Sequence, residues 1–261
     1  MKHLLVLDPR GRKPGGETPL VCTPLVGRTR ERVLAEVAHI LPKSPDLLEW
    51  RVDHFGAIAD TAAVIDTLRE LRRAAGRLPI IFTCRAKEGG GHRVPIGAAD
   101  IVALHESVAA TRMVDFIDFE IDNDPELLGR VRQSTRSQEV RLIVSYHNHS
   151  YTPGHEFLVD RFLEAEHLGA DVAMVQVKPR DRTDVLRLLA ATAEADTKTR
   201  IPLISMSIGP LGSVSRIVGG LFGSSLSFAV GEKASAPGQI PIGDLTAAFD
   251  IIRRARGGEM L

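Results

Sequence analysis

The sequence predicts an α/β protein, a (β/α)8 TIM barrel with an N-terminal hairpin preceding the first barrel strand. Three observations carry this expectation. Counted from Leu20, eight short apolar segments alternate with eight segments of helical spacing. The strand segments are apolar with little interruption, as parallel strands covered by helices are. The glycine-rich fingerprint of a dinucleotide-binding fold is missing after the first strand, and eightfold alternation within 261 residues fits a closed barrel better than an open doubly wound sheet. No linker or low-complexity segment interrupts the pattern, so residues 1–261 read as one domain.

Residues 3–7 form an apolar run, and the Pro- and Gly-rich stretch 9–16 turns the chain, which gives the hairpin with the strand at Leu20–Thr23. Thr29–Leu41 is helical, with Thr29 as N-cap and Val33, Leu34, Val37 and Ile40 on one face. The strand at 47–53 places Glu49, Arg51 and Asp53 on one side and Leu48, Trp50 and Val52 on the other. Thr61–Ala75 is a helix, Pro79–Cys84 a strand, and Gly97–Arg112 a helix. Val114–Ile121 is a strand, and Pro125–Gln133 a helix with proline in its first turn. Glu139–Tyr146, Asp171–Val177, Pro202–Ser207 and Leu226–Val230 are the remaining strands. Helices follow them at Gly154–Leu168, Thr183–Ala195, Val214–Phe222 and Gly243–Arg256.

The bulk numbers narrow the class of function. Lys and Arg total 33 against 33 Asp and Glu, so no basic field invites nucleic acid or an anionic membrane. No apolar run reaches the length of a membrane span, and the first residues do not make a signal peptide. Cys22 and Cys84 lack metal-ligand spacing and read as reduced thiols packed toward the helices, in a cytoplasmic protein.

Barrel enzymes put reactive groups where strands end and the following loops begin. Reading those positions gives Glu49 and Arg51 after the second strand, and Arg85 after the third with Lys87, Glu88 and Gly89-Gly90-Gly91 in its loop. His147 ends the fifth strand, Arg216 follows the seventh, and Lys233, Ser235 and Gln239 follow the eighth. Arginines meeting at one mouth suit an anionic substrate, because guanidinium grips carboxylate in two-pronged fashion. Ser213 and Ser215 mark a helix start that adds backbone N–H donors. Asp118, Glu120 and Asp122 read as a salt-bridge layer inside the barrel, with metal ligation as the alternative. His147 and His149 form an H-x-H pair with zinc-ligand character, but no second histidine pair stands at another strand end.

Several of these residues also carry a family resemblance. Glu49-Trp50-Arg51-Val52-Asp53, Phe82-Thr83-Cys84-Arg85 with Lys87-Glu88-Gly89-Gly90, Ser145-Tyr146-His147, Met206-Ser207 leading to Ser215-Arg216, and Lys233-Ala234-Ser235-Ala236-Pro237-Gly238-Gln239 together resemble type I 3-dehydroquinate dehydratase. The resemblance runs from about Leu20 to the end. It implies a barrel, usually a homodimer, that converts 3-dehydroquinate to 3-dehydroshikimate in the shikimate pathway or quinate catabolism, without metal or added cofactor. It further implies an imine between a lysine and the substrate ketone, with His147 moving the proton and Glu88 orienting it. Arg216, Ser235 and Gln239 would hold the carboxylate, and Glu49, Arg51 and Arg85 the ring hydroxyls. Thr23 falls where the first strand carries a small hydroxyl residue, and the loop 231–238 is expected to act as a lid.

One position departs from the family pattern. Aligned through Pro179, Met174 stands where the imine-forming lysine belongs, and a thioether forms no imine. Lys178 shares its strand parity but lies four residues further on, about 13 Å at strand rise. A lysine side chain spans about half of that. The expectation is a dehydratase scaffold impaired at the covalent step. A non-catalytic binder of a cyclic hydroxy-carboxylate is the first alternative. A metal-dependent hydrolase using His147 and His149 is the second.

Overall fold

The computed structural model describes residues 18–231 and 238–256. The N-terminal hairpin, most of the 231–238 lid, Lys233 and Ser235 fall outside these residues. Within them runs strict alternation: β1 (Leu20–Leu25), α1 (Arg30–Ile40), β2 (Leu47–Arg51), α2 (Thr61–Ala75), β3 (Ile80–Thr83), α3 (Ala98–Thr111), β4 (Phe116–Glu120) and α4 (Pro125–Ser137). It continues with β5 (Arg141–Asn148), α5 (His155–His167), β6 (Val172–Val177), α6 (Arg182–Lys198), β7 (Leu203–Ser207), α7 (Gly209–Val218) and β8 (Leu226–Val230). A two-residue strand, β9 (Ile240–Pro241), precedes α8 (Ile242–Ala255) and has no counterpart in the sequence reading.

All named strands pair in parallel, in the order β7-β6-β5-β4-β3-β2-β1-β8-β9. The curled sheet meets itself just before β8. There Ser225 N–H donates to Leu203 O at 2.7 Å, and Leu20 N–H donates to Ser225 O at 3.0 Å. The result is a TIM barrel.

Local chemistry fixes the helix starts. Thr29 and Asp60 accept from the backbone N–H groups of Arg32 and Ala63, as N-caps do. Asp181 does the same for Asp184 at the start of α6. A repeated latch sets the register at the opposite end of the barrel from the mouth. Asp46, Asp115 and Asp171 each stand just before an even-numbered strand. Each accepts a backbone N–H from the preceding odd-numbered strand, Val21, Ile80 and Leu142, at 2.7–2.8 Å. A one-residue slip would break all three bonds and turn every side chain to the wrong face.

Two apolar layers result. Between sheet and helices, Trp50, Phe82, Leu68, Leu71 and Phe162 are fully buried, each contributing about 1.5–3 kcal/mol by leaving water. Inside the barrel, Leu47, Ile81, Phe116, Ile143, Val172, Ile204 and Leu226 form an apolar floor. Cys22 belongs to this floor, which corrects the expectation that it faces the helices. It pairs with Leu47, two residues below Glu49 on the same face. Burial, and then the Glu49 carboxylate, push its thiol well above the usual range. Cys84 does pack on the helix side, and burial pushes it up to about 12.

His105 of α3 is buried edge-on between Phe82 and Phe119, with Nδ1 donating to Ile101 O at 2.7 Å. Burial lowers its pKa from the usual histidine value, so the folded chain resists protonation there while the unfolded chain does not. Its contribution to stability is full above about pH 6.5 and lost as pH falls toward the lower folded value, at up to about 1.4 kcal/mol per pH unit. Chemical denaturation at about pH 7.5 and about pH 5.5 should show acid destabilisation that shrinks in His105→Leu. An unchanged difference would place the acid sensitivity elsewhere.

Candidate active site

Strand alternation aims Glu49 and Arg51 of β2 into the barrel above the apolar floor, while Leu48 and Trp50 face the helices. Glu49 is buried and accepts from Thr83 Oγ1 at 2.9 Å. Burial raises its pKa, against the pull of Arg51 and Arg85. The chain leaves the strand after Arg51 through one 3-10 turn, and Asp53 folds back to take the Arg51 guanidinium with both oxygens at 2.9 Å. Burial disfavours the Asp53 charge, but the Arg51 fork outweighs it and holds the carboxyl below the usual range. Asp53 also accepts the backbone N–H groups of Arg85 (3.3 Å) and His92 (3.1 Å), tying both ends of the glycine-rich loop to β2.

Arg85 is the hub. Nη2 donates to Asp118, and Nη1 lies 3.2 Å from Glu120 Oε1, 3.0 Å from Ser145 Oγ and 2.9 Å from His147 Nδ1. Burial works against its charge, but Asp118, Glu120 and Glu49 more than restore it. Asp118 and Glu120 thus form the expected salt-bridge layer. Asp122 does not join it, being exposed and 4.0 Å from Arg161. Burial, then Arg85, His149 and Arg51, hold His147 well below the usual histidine range, so its ring is neutral.

Opposite this network, Arg216 of α7 is buried with no acidic partner among the described residues. Nη1 donates to Phe228 O at 3.2 Å and contacts Met206 Sδ at 3.4 Å, while Nε and Nη2 have no hydrogen-bond partner among the described residues. Burial alone lowers its pKa to about 10. Glu49, Arg51, Arg85, His147, His149, Met174, Gln176, Met206, Arg216, Phe228 and Gln239 line one cavity at the C-terminal ends of the strands. Such a cavity, with a neutral imidazole, a raised carboxyl and an uncompensated guanidinium, suits a small hydroxylated anion and proton transfer to it.

Two expected positions, Glu88 and Thr23, lie elsewhere, and Lys178 is outside the cavity as its distance along the strand implied. Glu88 is exposed and borders a second cavity behind the loop; the carboxylate beside His147 is Glu120, with Oε1 3.6 Å from Nδ1. The Arg85-to-Gly89 turn is too tight to bring Glu88 back under the loop. Its backbone closes through Gly89 N–H and Gly91 N–H onto Ala86 O. Thr23 alternates with Cys22, so it packs on the helix side beside Gly231 and Ile40 rather than in the cavity. Lys178 is exposed at the end of β6 and is not among the side chains lining the cavity, whereas Met174 is, 4% exposed. Gln176, Met206, Phe228 and His149 also line the cavity and were not singled out for it from sequence. Gln176 is paired with His147 in register, a relation that only the sheet reveals. Among the described residues, the side chains grouped at metal-ligand spacing are Asp53, His54 and His92, not His147 and His149 with the β4 acids. Each Asp53 oxygen already holds two donors, which leaves it a poor ligand.

The sequence model of type I 3-dehydroquinase matches residues 21–256. A 3-dehydroquinate dehydratase of Albidiferax ferrireducens is 49% identical over 243 residues, 93% of this chain and 92% of that one. Among solved structures, the 3-dehydroquinate dehydratase of Geobacillus kaustophilus superposes with TM-score 0.89 at 42% identity, covering 91% of this chain and 92% of that one. The type I enzyme of Clostridium difficile, solved with a covalently modified comenic acid, gives TM-score 0.92 at 31% identity, over 98% and 100% of the two chains.

Gly89 is buried where the loop crosses the network. A Cβ there would lie 2.3 Å from Glu120 Oε1 and 3.0 Å from Arg85 Cδ. Gly89→Ala should therefore cost about 1–3 kcal/mol of stability, as overpacking does. It should also speed hydrogen exchange at the Ala86 and His92 amides, which hold the loop to Glu120 and Asp53. Exchange unchanged at both amides would show that the loop does not depend on this close approach.

Proposed function

The chain belongs to the type I 3-dehydroquinase family, and from that premise we propose how its barrel handles substrate and where it departs from the family reaction. The activity that goes with the family is 3-dehydroquinate dehydratase, a carbon–oxygen lyase. Water leaves as a proton from the carbon beside the ketone and a hydroxyl from the next carbon, with a C=C bond formed between them.

Arg216 binds the substrate carboxylate together with Gln239, which lines the same cavity, and the same role is proposed for Ser235, which falls outside the described residues. The observation that carries this reading is the buried Arg216 guanidinium, two of whose nitrogens have no hydrogen-bond partner among the described residues. A charge so placed is costly until an anion completes it, and a carboxylate fits its fork. Glu49, Arg51 and Arg85 take the ring hydroxyls, and His147 removes the proton and returns it to the departing hydroxyl. Supporting His147 as base is its neutrality, since a base must meet its substrate unprotonated. No metal or cofactor enters this chemistry. The protein acts as a cytoplasmic homodimer on a small molecule, a state supported by exposed apolar Leu211, Val214 and Leu221 around α7. No helix of the described residues is long and apolar enough to cross a membrane.

The departure is Met174. At the imine position the chain offers a thioether against Ser145 and Ile204, so the carbanion formed beside the ketone has no iminium to take its charge. The elimination is accordingly impaired while binding persists. Borohydride added with 3-dehydroquinate should leave no adduct on the unaltered chain, and Met174→Lys should acquire one and dehydrate substrate at least about 100-fold faster. The neighbouring guanidinium groups would lower the pKa of the new amine and so favour attack. Peptide mapping decides the site. An adduct on Lys178 of the unaltered chain would overturn the impaired reading, and no adduct in either protein would leave a binder without catalysis.

A further inference from the structure

Two groups contend for one nitrogen of His147. Arg85 Nη1 lies 2.9 Å from Nδ1, and Glu120 Oε1 lies 3.6 Å from the same atom. A guanidinium has donors only, so the Arg85 contact requires Nδ1 to be an acceptor without a proton. A neutral imidazole then carries its single proton on Nε2, the nitrogen left to face a ligand. In that form His147 donates a hydrogen bond into the cavity and has no lone pair there with which to take a proton. The ligand-free arrangement therefore holds the ring in the form that is not a base.

The remaining contacts indicate what reverses this. Arg85 is anchored through Nη2 to Asp118, while Nη1 has more neighbours than hydrogens, Ser145 Oγ at 3.0 Å, Glu120 Oε1 at 3.2 Å and His147 Nδ1 at 2.9 Å, and is the arm that can change partner. Glu120 is held from behind, its Oε2 accepting the Ala86 backbone N–H at 2.9 Å and its Oε1 pressed under Gly89. We propose that Glu120 is a positioning residue that selects the base form of His147 when a ligand hydroxyl claims Arg85 Nη1. Nδ1 then carries the proton and donates it in a hydrogen bond to Glu120 Oε1, and Nε2 presents its lone pair to the substrate. The ring stays neutral throughout; one N–H is exchanged for the other through solvent, with no net gain or loss of a proton. The suppression of His147 protonation by burial is in keeping with such an exchange between two neutral forms. This inference rests on the reading of Arg85 as a hydroxyl-binding group and His147 as the base.

Long-range proton–nitrogen NMR on histidine-labelled protein reports which ring nitrogen is protonated. The free chain should show Nε2–H, and saturation with 3-dehydroquinate should convert it to Nδ1–H. In Glu120→Ala the ligand should still bind, with less than about tenfold loss of affinity (about 1.4 kcal/mol), but the ring should remain Nε2–H. Nδ1–H in the free chain would overturn the proposal without recourse to any variant. Binding that leaves the unaltered ring as Nε2–H, or that converts it equally in Glu120→Ala, would also overturn it while the proposed function stands. Failure of 3-dehydroquinate to bind at all would overturn both.

Discussion

The guanidinium of Arg85, buried inside the barrel, is the interaction on which the mouth depends. It joins three adjacent strands through Asp118 and Glu120 of β4 and Ser145 and His147 of β5. Each partner points inward by strand alternation, so the network follows once the register does. Removing one member of such a buried set typically costs about 3–5 kcal/mol, because the other charges are left uncompensated. Through Glu120 and Asp53 the same network pins the glycine-rich loop over the cavity. Position of the loop, orientation of His147 and burial of the acids are therefore one physical problem.

Arg216 stands on the opposite wall under the contrary condition. It has burial without an acid among the described residues, and its lowered pKa reflects that burial. The barrel thus keeps one side electrostatically complete and the other waiting for a negative charge from outside. Between them lie Met174, Met206 and Phe228, an apolar surface. The two walls carry the groups proposed to recognise an anion and its hydroxyl groups, and the proposed loss of the covalent step concerns only the apolar surface between them, where Met174 stands.

Much of this was legible in the sequence because its signals are local. Asp60 as cap and Ala75 before Gly76 bound α2 at the residues expected, and β8 matches Leu226–Val230. Where reading failed, the cause was a competing local structure. Glu139, at φ 59°, and Val140 complete the end of α4, so β5 begins at Arg141 and extends past His147. The helix expected at Val214–Phe222 starts earlier, at Gly209 with Pro210 in its first turn, so Ser213 and Ser215 lie inside α7 and not at its start. Along β1 every residue from Val21 to Leu25 is buried, so polarity offered no way to tell the barrel side from the helix side, and Cys22 and Thr23 were exchanged. Glu49, Arg51, Arg85, His147, Arg216 and Gln239 do share one cavity. Exchanging Glu88 for Glu120 was a tertiary matter, since only the folded loop determines which carboxylate lies behind the imidazole.

Arg216→Met tests the central claim most directly, because it keeps a side chain of similar length while removing the uncompensated charge. Calorimetric titration with 3-dehydroquinate, run beside thermal melting, reads both consequences together. The account predicts saturable binding to the unaltered chain, at least about tenfold weaker binding to the variant, and a melting temperature that stays the same or rises. Undiminished affinity together with a lowered melting temperature would mean that Arg216 serves the fold and not the ligand.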